Sequence, residues 1–131
     1  MADLYGYNQL FTDVPEMWTT GGQVLIGATG APTYTGLPSG IVKSFTRLGT
    51  GQYRLTLQQA WYSMVFFHVS SEIASSASPA YVSAQMQGDT VGVAGTFPQT
   101  VTFQFNVAGT PTELPSGSSF RFLIMLKRSS A

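Results

Sequence analysis

The stretch "FTRLGTGQYRLTLQ", residues 45–58, decides how the rest of the chain is read. It divides into a strand, a glycine-bearing turn and a second strand. Side chains on a strand alternate between the two faces of a sheet. In "QYRLTLQ" that places Tyr53, Leu55 and Leu57 inward and Arg54 and Thr56 outward. The turn "LGTG", residues 48–51, supplies glycines that can take positive φ in a short hairpin loop. Arg47 and Arg54 sit here without an acid beside them. One reading is a binding hairpin for an anionic partner. The favoured reading is exposed charge that discourages edge-to-edge pairing of strands.

The same period of two recurs along the chain. "TVTFQFNV", residues 100–107, sets Val101, Phe103, Phe105 and Val107 against Thr102, Gln104 and Asn106. "YVSAQMQ", residues 81–87, sets Val82, Ala84 and Met86 against Ser83, Gln85 and Gln87. "SMVFFHVS" (63–70) and "FRFLIMLK" (120–127) are apolar on both parities. Such runs belong in the middle of a sheet covered on both sides, or beneath an intersubunit contact. "GQVLIGA" and "GIVKSFTRL" complete the set, and turn-rich loops at 28–40, 70–80 and 108–119 separate the strands. Many short strands with regular turn signals predict an all-β fold, an antiparallel β-sandwich or jelly roll of about seven to eight strands.

Residues 1–21 read differently, as an N-terminal arm, with residues 22–131 forming the sandwich domain. The arm holds Asp3, Asp13 and Glu16, three of the six acids, and the aromatics Tyr5, Tyr7, Phe11 and Trp18. It alternates poorly. "TDVPEMW" could open a short helix, with Thr12 or Asp13 as N-cap and Pro15 near its start.

Composition narrows the function. The chain has 131 residues, which suits one domain able to bury roughly two-thirds of its unfolded surface. Charged residues are 9%, against about 25% in ordinary domains. Six basic residues balance six acids. A neutral chain lacks the electrostatic footprint of a nucleic-acid binder and the polybasic patch that holds anionic membranes. Net charge near zero also favours association, so surface covered by further copies or partners is expected. There is no cysteine, which removes disulfides, thiolate metal sites and cysteine nucleophiles. The opening residues show neither the basic nor the apolar region of a secretory leader, and no apolar run reaches the length of a membrane span.

Catalytic chemistry finds little support. His68 is the one histidine, and it lies in a hydrophobic strand. A general base needs an orienting partner, and a histidine metal site needs companion ligands; neither is visible in the sequence. The acids Asp3, Asp13, Glu16, Glu72, Asp89 and Glu113 are scattered, and Asp89 reads as a turn residue. "GATGAPTYTG" lacks the ending of a phosphate loop. The expectation is a protein that is not an enzyme and takes no cofactor or metal. Aromatics are 13% of the chain. Tyr5, Tyr7, Phe11, Tyr34, Trp18 and Trp61 fall outside clear alternation. Aromatics of this kind anchor interfaces, and exposed ones can also stack on glycans.

The hairpin also carries a family resemblance. "GIVKSFTRLGTGQYRLTLQQAW" resembles small structural proteins of tailed bacteriophages, in which an R-x-G-x-G-x-Y-x-V-x-L hairpin recurs behind a leading valine. Val42, Arg47, Gly49, Gly51, Tyr53, Leu55 and Leu57 fit that pattern. "FRFLIMLKRSSA" is similar to their final strand. The resemblance covers about forty residues. It implies a virion component, a capsid decoration (cement) protein. Such a protein forms a homotrimer, contacts the major capsid protein and is assembled in the host cytoplasm. A receptor- or glycan-binding module of a tail fibre is the alternative. The residues expected at interfaces are Tyr5, Tyr7, Leu10, Phe11, Trp18, Trp61 and His68.

Overall fold

Rows of apolar residues at every second position leave water when the apolar face of one sheet is turned onto another layer. The computed structural model, which describes residues 17–34, 41–74 and 82–128, does this with two antiparallel sheets and no α-helix among those residues. The first sheet runs β2 (Pro32–Tyr34), β1 (Met17–Ile26), β9 (Ser119–Lys127), β5 (Ser63–Glu72). The second runs β3 (Val42–Gly49), β4 (Gln52–Leu57), β7 (Thr100–Val107), β6 (Ser83–Asp89), and β8 (Thr110–Pro111) also pairs with β7. This is the architecture of a β-sandwich.

The core lies between the sheets. Val24 and Ile26 of β1 and Phe120, Phe122, Ile124 and Leu126 of β9 come from the first sheet. Tyr53, Leu55 and Leu57 of β4 and Val101, Phe103 and Phe105 of β7 meet them from the second. All are buried. Phe103 packs edge-on to Phe120 at 5.4 Å between ring centroids, and Phe45 packs on Phe122 at 5.0 Å. Each fully buried side chain of this size contributes about 1.5–3 kcal/mol over leaving it in water. The hairpin alternation at residues 52–57 therefore holds as expected.

Among the described residues nine strands form, against the seven to eight expected. The additional ones are β2 and β8, three and two residues long, inside segments expected to be loops. Such short pairings leave too little alternation to be read in sequence. The arm boundary at residue 21 is also corrected. β1 begins at Met17 and pairs with β9 from Met17↔Lys127 to Leu25↔Ser119. Residues 17–21 thus belong to the sheet, and Met17 and Trp18 are strand rather than helix. Two adjacent glycines, Gly21 and Gly22, interrupt the alternation there and hide the strand.

Two further expectations change. "SMVFFHVS" is an edge strand, not a central one, and a bulge between Met64 and Phe66 resets its parity. Phe67 and Val69 then turn inward while Val65 and Phe66 remain about half exposed. β6 is the opposite edge of its own sheet, and every residue of it is exposed, Met86 included at 49%. Its alternation is real, but β5 of the facing sheet leaves a cleft between the two strands, and the apolar side of β6 stays open.

Candidate interaction surface

The outer face of the first sheet is built by β5, β9 and β1. Their register sets Phe66 beside Met125, His68 beside Leu123 and Ser70 beside Arg121. Gln23 of β1 stands across from Arg121. Two halves result. One end is polar: Arg121 contacts Glu72 at 3.3 Å, Ser119 donates to Glu72 Oε1, and Gln23 donates to Ser119. The Arg121–Glu72 pair is well exposed, so it fixes geometry more than it stabilises. The other end is apolar, with Val65 50%, Phe66 46% and Leu123 39% exposed. The Phe66 and His68 rings stack there, 6.2 Å apart and 17° from parallel.

Of the described residues expected at interfaces, His68 alone stands on this face. It is exposed on β5. Trp18 packs against the core from β1. Trp61 is 3% exposed, so it is no open platform. Tyr34 is half buried against Phe45 and Phe122, at 5.5 and 5.7 Å. Burial raises its phenol pKa. Tyr5, Tyr7, Leu10 and Phe11 lie outside the described residues.

Trp61 is held at one end of the sandwich. Its backbone N–H donates to Gln99 Oε1 at 2.7 Å, and Gln99 Nε2 donates back to the Trp61 carbonyl at 3.0 Å. Arg128 lies 4.9 Å over the indole ring and donates to Gln59 Oε1. Beside them opens a shallow cleft of about 340 Å3, bordered by Tyr62 and the 92–96 turn. Tyr62 is 53% exposed, and it is the residue there that presents an aromatic surface to solvent.

Arg47 does not stand free. It crosses from the hairpin to Glu113, with Nη2 to Oε1 at 2.6 Å and Nε to Oε2 at 3.1 Å. Glu113 also accepts the Gly51 N–H at 3.3 Å. The Tyr53 hydroxyl donates to the buried Gly30 carbonyl at 2.7 Å and lies 3.3 Å from Glu113 Oε2. The Arg47 hydrogen bond holds the Glu113 carboxyl below the usual glutamate range. Burial, then the Glu113 charge, pushes the Tyr53 phenol up. Gly51 at φ +67° brings the hairpin turn against the Thr112 carbonyl, where a Cβ would sit 2.4 Å from that oxygen. This knot ties the hairpin to the connector before β9 and to the turn at residues 28–30. Arg47 and Glu113 are 66 positions apart, so no local pattern could announce the pair.

Among the described residues, no group of three or more His, Cys, Asp or Glu side chains could hold a metal ion, and no helix is long and apolar enough to cross a membrane. Comparison with protein-family models, with curated proteins and with solved structures finds no match.

Proposed function

We propose that this protein is a non-enzymatic structural component of a phage virion, a capsid decoration protein that assembles with copies of itself and reinforces the head. One observation carries this reading. The outer face and free edge of the first sheet leave Val65, Phe66 and Leu123 exposed side by side, in a chain with 9% charged residues. Apolar surface of that kind, rimmed by polar residues, is a contact surface. The hairpin resemblance supplies the virion setting. Many identical contacts repeated over a shell add through multivalency. The test combines mass by light scattering with the protein's location in purified particles. A homo-oligomer that binds capsids lacking it supports the proposal, and a monomer absent from particles overturns it.

A second reading, a receptor- or glycan-binding virion module, is favoured by the cleft beside Tyr62 and Arg128. Its volume lies at the lower end of small-ligand sites. Loss of cell adsorption in Tyr62→Ala, with oligomer mass unchanged, would select it. Tyr62 is the better probe than Trp61, because Trp61 is core.

A further inference from the structure

β5 is ten residues long, and among the described residues its outer side has no strand partner. Edge strands invite pairing unless lysine, proline or irregular geometry blunts them. β5 contains no lysine and no proline, and its bulge lies near its start, before Phe66. From Phe66 to Glu72 the ladder to β9 runs without interruption. On its inner side the edge opens into a cleft of about 120 Å3 between β5 and β6, lined by Phe67, Val69, Met86 and Phe103 among others. On its outer side stand the stacked rings of Phe66 and His68. An added strand would find main-chain partners along the edge. At alternate positions it would find an apolar cleft and an aromatic pair.

We propose that the occupant is the segment before Met17 of a second copy, laid along β5 as an added strand. The inference rests on the assembly reading above and names the surface and the partner segment. Three observations support it. The first is length: about eleven extended residues cover roughly 36 Å, enough to match a strand the length of β5, and sixteen precede Met17. The second is chemistry. Tyr5, Tyr7 and Phe11 share one parity, so a strand made of this segment would turn three aromatics to one face. The third is charge. Residues 1–16 hold three acids and no basic residue, so the rest of the chain, with six basic residues and three acids, is net positive by three. Lys127 and Arg121, the latter already paired with Glu72 of β5, are on β9, immediately beside β5.

The second copy is preferred to the segment's own chain because the direct route is occupied. Met17, the first described residue, stands beside Lys127, with β9 between it and β5. At that end the Tyr62 N–H donates to the Lys127 carbonyl at 2.9 Å, and Arg128 lies over Trp61. A segment doubling back to its own β5 would have to cross them. A neighbour's segment need not. This mode, strand addition to an open edge, takes affinity from the main chain and specificity from alternate side chains.

The cysteine-free chain permits a direct test in the full-length protein. Tyr5→Cys, Tyr7→Cys and Phe11→Cys variants are each mixed with a Ser70→Cys variant and mildly oxidised. Ser70 is exposed on β5, so its substitution leaves the core intact. The expected result is disulfide-linked dimers of the two variants, several-fold above a control in which Thr110→Cys replaces Ser70→Cys. No enrichment over the control, in a protein that light scattering shows to be oligomeric, overturns this inference and leaves the assembly reading standing. A monomeric mass overturns both. If chains carrying both Tyr7→Cys and Ser70→Cys link only internally, the segment closes on its own edge and the second-copy assignment is wrong.

Discussion

β4 and β6 lie on either side of β7, and both alternate apolar with polar residues. Their fates differ. In β4, Tyr53, Leu55 and Leu57 are fully buried, whereas in β6 all seven residues are exposed. The pairing is similar in kind: Tyr53 and Met86 both stand opposite Phe103. What separates them is position. β4 is flanked by β3 and β7 and faces β9 across the core, while β6 ends its sheet. Alternation tells which side of a strand is apolar. It does not tell whether anything covers that side.

The sharpest way to break the comparison is to remove one apolar side chain from each strand. Leu55→Ala is expected to cost about 2–5 kcal/mol of unfolding free energy in urea, because it leaves a cavity in a packed core. A loss under half of that range would mean the sandwich relaxes around β4 more than its packing suggests. Tyr53→Phe keeps the ring but removes the hydroxyl that satisfies the buried Gly30 carbonyl. Its expected cost is about 1–3 kcal/mol, the usual penalty for an orphaned buried acceptor, again read from the urea midpoint.

Glu113→Gln is expected to act through pH. The folded state depresses the Glu113 pKa, chiefly through the Arg47 hydrogen bond. Its contribution is therefore complete above the ordinary glutamate value of about 4.3 and fades as pH falls through the lower folded value. Thermal melts from pH 7 down to pH 3 should show a flatter acid-side decline in the variant than in the wild type. Equal slopes would mean the Arg47–Glu113 contact does not persist in solution. Met86→Ala should have the smallest effect, within about 0.5 kcal/mol, as for most exposed positions. A larger loss at high protein concentration, absent on dilution, would show that β6 is covered in the assembly and would end its contrast with β4.

Two core strands were legible because each carries its own period: residues 52–57 and 100–107 needed only local spacing. Residues 120–127, apolar on both parities, fitted a mid-sheet strand by their continuous run instead, and β9 does lie between β1 and β5. β5 lies at an edge rather than in mid-sheet, and its parity was hidden because Met64 and Phe66 straddle a bulge at Val65, where continuous apolar residues disguise the reset. Trp18 and Trp61, expected as interface anchors, hide their packing in the sequence for a related reason. Neither belongs to a clean alternation, yet both pack against or within the core, one on β1 and one in the loop before β5. The Arg47–Glu113–Tyr53 knot left no trace in sequence spacing, since its members meet only when the connector before β9 returns to the hairpin. His68 was the one described member of the expected interface set to reach an exposed face, because the bulge before it set its parity outward.

The pairing of β9 with both β1 and β5 bears on the order in which the molecule can form. All strands of the second sheet have been synthesised by Pro111, whereas the first sheet lacks its middle strand until Lys127 has emerged. Closing Met17 onto Lys127 joins nearly the two ends of the described chain, a contact of high order that pays its loop entropy late. A nascent chain stalled before β9 would therefore hold Tyr53, Phe103 and Phe105 on a half-made core, the kind of transient apolar surface that chaperones recognise.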